Sequence, residues 1–145
     1  MPDKLTFIQL LAALQTAFFV ALLCAASVFD LRRRIIPDTL NLAIAATALL
    51  CFSPGNLWGI AVAVPFLLVA VFCGGMGGGD IKLMAACGLV LGLPKGLLAA
   101  AVGLSLLLLY AVVYQVYCKA QGREAEKAFP LAPFLSAGCL LAYFI

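Results

Sequence analysis

The sequence contains no histidine and few charged residues. Among its 145 residues, nine are Lys or Arg and six are Asp or Glu, which together make up 10% of the chain. The absence of histidine excludes a Ser-His-Asp triad, a Cys-His dyad, and zinc or haem sites that use histidine ligands. Hydrolytic acid and base chemistry in this chain would therefore depend on carboxylates.

The cysteines lack the spacing of a metal or redox site. None of the six forms a Cys-x-x-Cys pair with another. A zinc ribbon, a thioredoxin-like redox pair and an iron–sulfur cluster are therefore unsupported, and we predict neither a metal nor a cofactor. The net charge of +3 is too small to indicate a nucleic-acid partner.

The chain is far more hydrophobic than a soluble domain. Hydrophobic residues make up 66% of it, and its mean hydropathy is +1.20. An ordinary soluble domain is about 25% charged and about half apolar, so this chain has too few polar residues to cover a core in water. We predict an all-α, polytopic membrane protein with a single domain over residues 1–145, for which the lipid bilayer is the surrounding medium.

Charged residues and Gly/Pro clusters divide the chain into six predicted membrane helices. The uncharged run 5–29 is long enough to span about 30 Å of hydrocarbon and too long for the apolar region of a signal peptide. Turn signals occur at 53–56, at 74–80 and at Pro94-Lys95-Gly96. The predicted helices are 5–29, 38–53, 56–73, 81–93, 97–118 and 129–145.

The distribution of positive charge orients these helices. Loops 30–38, 74–82 and 118–128 carry seven Lys and Arg residues, whereas the rest of the chain carries only Lys4 and Lys95. The positive-inside rule therefore predicts an N-terminus outside and these three loops in the cytoplasm. In this topology Asp30 and Asp38 of loop 30–38 and Asp80 of loop 74–82 lie at the cytoplasmic face.

Asp30 and Asp80 are the candidate catalytic residues. Acidic side chains at or within membrane helices are costly, and they usually face a cavity and mark function. Two carboxylates that share a site do not both ionise easily, so one can activate water as a base while the other, protonated, polarises a carbonyl group. The alternative is structural, with ion pairs between these aspartates and Arg32–Arg34 or Lys82 at helix ends.

Five of the six residues at 74–79 are glycine. The absence of Cβ groups would let a substrate backbone approach Asp80, and glycine also permits positive φ values just before it. We therefore predict that Gly77, Gly78 and Gly79 form the loop that the substrate approaches. Helix packing through G-x-x-x-G pairs is the alternative for this stretch, and it is our prediction for the same spacing at 88, 92 and 96.

The predicted helix 81–93 is short for a membrane span. At 1.5 Å per residue it is about 20 Å long, against about 30 Å of hydrocarbon. The glycine stretch before it would then dip below the interface, where irregular backbone must be buried in protein or line a water-filled cavity. We therefore predict a water-filled cavity beside Asp80. Lys82 could tune that carboxylate or extend to the interface, and Arg34 could keep an aspartate ionised or serve as a topology anchor.

These motifs resemble the prepilin peptidases, the leader peptidases of type IV pili and related secretion systems. Asp30 is followed by basic residues and Ile36-Pro37-Asp38, then by Gly77-Gly78-Gly79-Asp80 in a G-x-G-D pattern, and Phe129–Phe134 resembles the Pro-rich closing segment of that family. The resemblance implies an aspartic endopeptidase of the bacterial inner membrane, with Asp30 and Asp80 as the catalytic pair at the cytoplasmic face. Its substrate would be a prepilin or pseudopilin, cut between a short basic leader and the hydrophobic helix that follows.

Two departures from the family pattern affect these expectations. Asp38 stands where many members have Asn, and we predict that it caps the second helix. Larger members carry a cytoplasmic insertion with paired Cys-x-x-Cys motifs and add a methyl group to the cut pilin. This sequence has neither the insertion nor the cysteine pairs. It therefore resembles the short form of the family, and we expect no methyltransferase activity.

Two other functions use the same residues. A small proton- or cation-coupled transporter would use paired carboxylates and a broken helix, but it predicts an inverted repeat, and the chain has only one such pairing of Asp with a glycine break. A non-catalytic membrane scaffold would leave Asp30 and Asp80 replaceable.

Overall fold

The computed structural model of the protein describes residues 2–124 and 129–145, and within these ranges the chain forms helices and no strand. Three stretches are long and apolar enough to cross a membrane: Lys4–Arg33, Pro54–Cys73 and Gly78–Ala120. The all-α membrane fold is therefore confirmed. The helices are α1 (Pro2–Arg33), α2 (Asp38–Thr47), a 3₁₀ helix (Pro54–Val62) that continues into α3 (Ala63–Cys73), α4 (Gly78–Ala120) and α5 (Ala132–Phe144).

Helix α4 is a helical hairpin and not a straight rod. Gly92 has a φ of 78° and a ψ of 171°, outside the helical region. A Cβ on Gly96 would lie 3.6 Å from the Cα of Gly88, although residues eight apart in a straight helix are separated by about 12 Å. The chain therefore folds back at Gly92, and its two arms, 78–91 and 93–120, correspond to the fourth and fifth predicted helices.

The break predicted at Pro94-Lys95-Gly96 lies instead at Gly92. The chain reverses there because glycine adopts a positive φ without steric cost. Pro94 stands in the first turn of the second arm, where its missing N–H costs no helical hydrogen bond and its fixed φ suits the helix.

The second and last predicted helices are shorter than expected. Helix α2 ends at Thr47 and not at residue 53, because the chain tightens there into turns in which the N–H groups of residues 48–50 bond carbonyls three residues back. Helix α5 begins at Ala132 and not at residue 129, with Pro133 in its first turn. Residues 125–128 of the predicted loop 118–128, including Lys127, lie outside the described residues.

The hairpin α4 is the centre of the packing. It contacts the 3₁₀ helix, α2, α3 and α5, while α1 packs against α2 and α5. Gly59 and Gly88 bring the 3₁₀ helix and α4 into backbone contact, since a Cβ on either glycine would collide with the backbone of the other. Gly88 and Gly96 thus pack closely, as their spacing predicts, whereas Gly92 forms the turn.

We expect Gly88→Ala to lower the stability of the fold by about 1–3 kcal/mol, because the new methyl group would meet the Gly59 backbone and force the helices apart. The measurement is thermal unfolding of the purified protein in detergent. Gly55→Ala is the matched control, since a Cβ there meets only the Ser53 Oγ, at 3.9 Å. Equal unfolding temperatures for the two variants would contradict the close packing.

Candidate active site

Asp30 is buried near the end of α1, with 6% of its surface exposed. Its Oδ2 accepts a hydrogen bond of 3.0 Å from the backbone N–H of Ala132, the first residue of α5. The first N–H groups of a helix have no partner within the helix, so a side-chain acceptor from elsewhere stabilises its start. Asp30 therefore links the end of α1 to the beginning of α5.

Asp80 is the third residue of α4 and is half-buried. Its backbone N–H donates to the carbonyl of Gly77, 3.1 Å away, which closes the first turn of the helix. Its Oδ1 is buried and accepts no hydrogen bond from the described residues. One oxygen of the carboxylate is thus enclosed without a hydrogen-bond donor from residues 2–124 or 129–145.

The three glycines before Asp80 differ in their surroundings. A Cβ on Gly77 would lie 3.4 Å from Asp80 Oδ2, so a larger side chain there would cover the carboxylate. Gly78 has open space around it, whereas a Cβ on Gly79 would lie 3.2 Å from the Cβ of Ile36. Gly77 is therefore the glycine whose missing side chain leaves the carboxylate accessible, while Gly79 allows α4 to pack against Ile36.

The positive φ values that were expected just before Asp80 occur earlier in the chain. Gly74 and Gly75 have φ values of 68° and 79°, whereas Gly77 is extended with a φ of −69°. The first two glycines end α3 and turn the chain, because glycine adopts positive φ values without the steric cost that a Cβ would bring.

Asp30 and Asp80 line two cavities together, although within the described residues no Cα atom of α1 lies within 8 Å of one in α4. Arg34 and Gly77 also line both. The polar cavity has a volume of about 280 Å³, and its other lining residues are Ile35, Ile36, Asp38, Gly78, Gly79 and Lys82. The apolar cavity has a volume of about 470 Å³, and its other lining residues are Val69, Gly74, Gly75, Met76, Leu107, Phe129, Pro130 and Leu131.

These cavities confirm the space predicted beside Asp80. They also bring together segments from two of the three loops that the charge distribution predicts on one side of the membrane, 30–38 and 74–82, with residues 129–131, which directly follow the third loop.

Lys82 and Asp38 form an exposed ion pair. The Lys82 Nζ donates to both carboxylate oxygens of Asp38 at 2.8 Å. The prediction that Asp38 caps α2 is wrong in detail, because Pro37 occupies the N-cap position and no side-chain capping bond forms. Asp38 is instead the first residue of α2, where Lys82 engages both of its oxygens and joins the start of α2 to the first turn of α4.

Arg34, the residue that follows α1, has an unusual backbone conformation. Its φ of 52° is the only positive value among the described residues other than glycine. Its N–H donates to the carbonyl of Asp30 at 2.8 Å, which is a common way to close a helix with a left-handed residue. This conformation is uncommon for a side chain as large as arginine. Arg34 also lines both cavities.

Asn41 contacts the glycine loop of the site and was not among the predicted residues. It lies in α2 with 5% of its surface exposed, and its Nδ2 donates to the carbonyl of Gly79 at 3.4 Å. Its Oδ1 is buried and accepts no hydrogen bond from the described residues. An amide three residues after Asp38, within a long charge-free run, is the signal that could have identified it.

The fold and the site define an all-α membrane protein in which two aspartates from different helices face shared cavities at one end. Residues 17–114, which include both aspartates, match the family model described as the type IV leader peptidase family. The chain belongs to this family.

Two relatives support the same assignment. The chain is 36% identical over 137 residues to the prepilin leader peptidase/N-methyltransferase of Bacillus subtilis, an alignment that covers 86% of this chain and 53% of that protein. It is 30% identical over 156 residues to the protein of the same name from Legionella pneumophila, covering 94% of this chain and 50% of the relative. The chain thus spans about half the length of the curated relatives it matches. No solved structure matches it significantly.

The bond between Asp30 and Ala132 predicts that two substitutions at residue 30 differ in stability. Asp30→Ala leaves a buried N–H without its acceptor and should cost about 1–3 kcal/mol. Asp30→Asn keeps a carbonyl oxygen for the same bond and should unfold at a temperature close to that of the unsubstituted protein. The measurement is thermal unfolding in detergent, and equal losses in both variants would show that the bond does not stabilise the fold.

Proposed function

We propose that this protein is a membrane aspartic endopeptidase that removes the leader from prepilin-like proteins. The observation that carries the proposal is the shared position of Asp30 and Asp80, which line the same two cavities although they belong to different helices. The family match supports the peptidase activity. Neither comparison favours a transporter.

In the proposed reaction one of the two carboxyl groups acts as a general base and the other as a general acid. One takes a proton from water as the oxygen attacks the carbonyl carbon of the scissile peptide, and the other donates its proton to the carbonyl oxygen. When the C–N bond of the tetrahedral intermediate breaks, the first carboxyl group gives its proton to the leaving amine, and the second takes a proton back from a hydroxyl group of the intermediate, which becomes the product carboxyl group. The pair acts as a unit because interacting carboxyl groups titrate together.

The surroundings of Asp80 suit this chemistry. Gly77 leaves one face of the carboxylate open to a peptide backbone. Since the chain has no histidine, carboxyl groups are the ionisable groups suited to this proton transfer.

The proposed substrate is a prepilin or pseudopilin with a short basic leader and a hydrophobic helix. Cleavage would take place at the cytoplasmic face of the bacterial inner membrane. The excess of Lys and Arg in the loops that contribute to the site supports this orientation. The domain at 1–145 would then be the peptidase domain, and we assign it leader cleavage alone, although the names of its relatives also include N-methyltransferase.

Replacing either candidate catalytic residue should abolish leader removal. We expect Asp30→Asn and Asp80→Asn each to slow cleavage by about 10²- to 10⁴-fold, because proton transfer by a positioned carboxyl group contributes rate factors of that size. The measurement is the mobility shift of a co-expressed prepilin. Glu124→Gln is the control, since this exposed carboxylate lines neither cavity and its substitution should change the rate little. Intact leader removal in both Asp30→Asn and Asp80→Asn would refute the proposal.

Asn41 should act as a positioning residue for Asp80. Asn41→Leu has a similar volume but loses the hydrogen bond to the Gly79 carbonyl, so we expect kcat to fall about two- to tenfold while KM changes little. Leu42→Ala is the control, because the Leu42 side chain is 72% exposed on the same helix. If the substitution at Asn41 changes KM and not kcat, Asn41 contacts the substrate and does not position Asp80.

A further inference from the structure

The two cavities beside the aspartates differ in chemistry. Besides their shared residues, the polar cavity has charged side chains, those of Asp38 and Lys82. The apolar cavity adds only glycine, proline and apolar side chains to the shared set, among them Val69 and Leu107. A peptide that crosses the aspartate pair therefore passes from a charged environment into an apolar one.

The apolar cavity lies beside a helix that is only loosely packed. Within the described residues, α3 contacts α4 and the 3₁₀ helix but neither α1 nor α5. Only Ala63 and Phe66 of this helix are buried, whereas Val69 is 45% exposed and Phe72 is 81% exposed. In a membrane protein these exposed apolar side chains face lipid. The apolar cavity is thus bordered by a lipid-facing helix on one side and by the aspartates on the other.

We infer that the apolar cavity receives the start of the substrate's hydrophobic helix, and that the polar cavity receives the end of its basic leader. This inference rests on the proposed function and adds the direction in which the substrate crosses Asp30 and Asp80. The apolar residues after the cut contact Val69, Leu107 and Leu131, and the residues before the cut lie near Ile35 and Asp38.

The opposite direction is costly for both parts of the substrate. It would bring the Lys and Arg side chains of the leader into the apolar cavity, where the lining residues outside the shared set carry no charge to compensate for lost hydration. It would also withdraw apolar residues from hydrocarbon and place them beside the Asp38–Lys82 ion pair. In the proposed direction, the hydrophobic helix reaches the aspartates from the bilayer beside α3.

Leu107 is the residue that tests this direction most sharply. It is half-buried on the second arm of α4 and lines the apolar cavity, while its neighbour Leu108 is 66% exposed and lines neither cavity. Leu107→Trp should narrow the apolar cavity, and Leu108→Trp provides a matched control with the same substitution at an adjacent position.

The experiment measures cleavage by the full chain in lipid nanodiscs, with two prepilin substrates that have either Phe or Ala as the first residue after the cut. We expect Leu107→Trp to raise KM for the Phe substrate about tenfold, which is typical of a steric mismatch in an apolar pocket. For the Ala substrate, the KM of Leu107→Trp should return close to that of the unsubstituted protein. Leu108→Trp should leave the KM of both substrates unchanged. A general loss of folding would not be rescued by the smaller substrate.

Photo-crosslinking provides a second readout, with benzoylphenylalanine placed in the substrate three residues before or after the cut and Asp80→Asn in the enzyme to prevent turnover. The probe after the cut should label Val69, Leu107 or Leu131, and the probe before the cut should label Ile35 or Asp38. If the probe before the cut labels the apolar cavity and the probe after it labels the polar cavity, the proposed direction is wrong. Equal effects of Trp at 107 and 108 would also contradict it. Both results would leave the peptidase assignment intact. If the unsubstituted protein cleaves neither substrate, the proposed function itself fails.

Discussion

The hydrogen bond from Ala132 to Asp30 is the contact on which the candidate site depends. It joins the end of α1 to the start of α5, two segments that are about a hundred residues apart in sequence. It also places the Pro-rich segment before α5 along the apolar cavity. The Asp30 carboxylate therefore stabilises the start of α5 through one oxygen and also lines the cavities of the site.

The position of Asp80 depends on close helix packing at glycine residues. The contact between Gly59 and Gly88 brings the first arm of α4 against the 3₁₀ helix, and Gly79 lets its first turn approach Ile36. Asn41 and the Asp38–Lys82 pair then connect this turn to α2. Asp80 is therefore held by backbone packing and polar contacts around it, while its own Oδ1 accepts no hydrogen bond from the described residues.

Much of this arrangement could be predicted from the sequence, because each signal was local. Uncharged runs marked the helical segments, and glycine and charge marked the ends at 33–38 and 73–80. The errors arose where two local signals competed. Pro94 predicts a break and the glycine spacing predicts packing at Gly92, yet the turn forms at Gly92, because the packing of the two arms decides which residue turns the chain. Likewise Asp38 is a good capping residue, yet Lys82 from another helix engages its carboxylate.

The sequence by itself determined the membrane class, the helical segments and the two aspartates as candidates, because hydrophobicity and the cost of charge in lipid act residue by residue. Only the tertiary structure decided that Asp30 bonds α5, that Asn41 contacts the glycine loop, and that two cavities of unlike character meet at the aspartates. These features depend on contacts between distant segments, and such contacts follow from how helices pack rather than from the residues of any one helix.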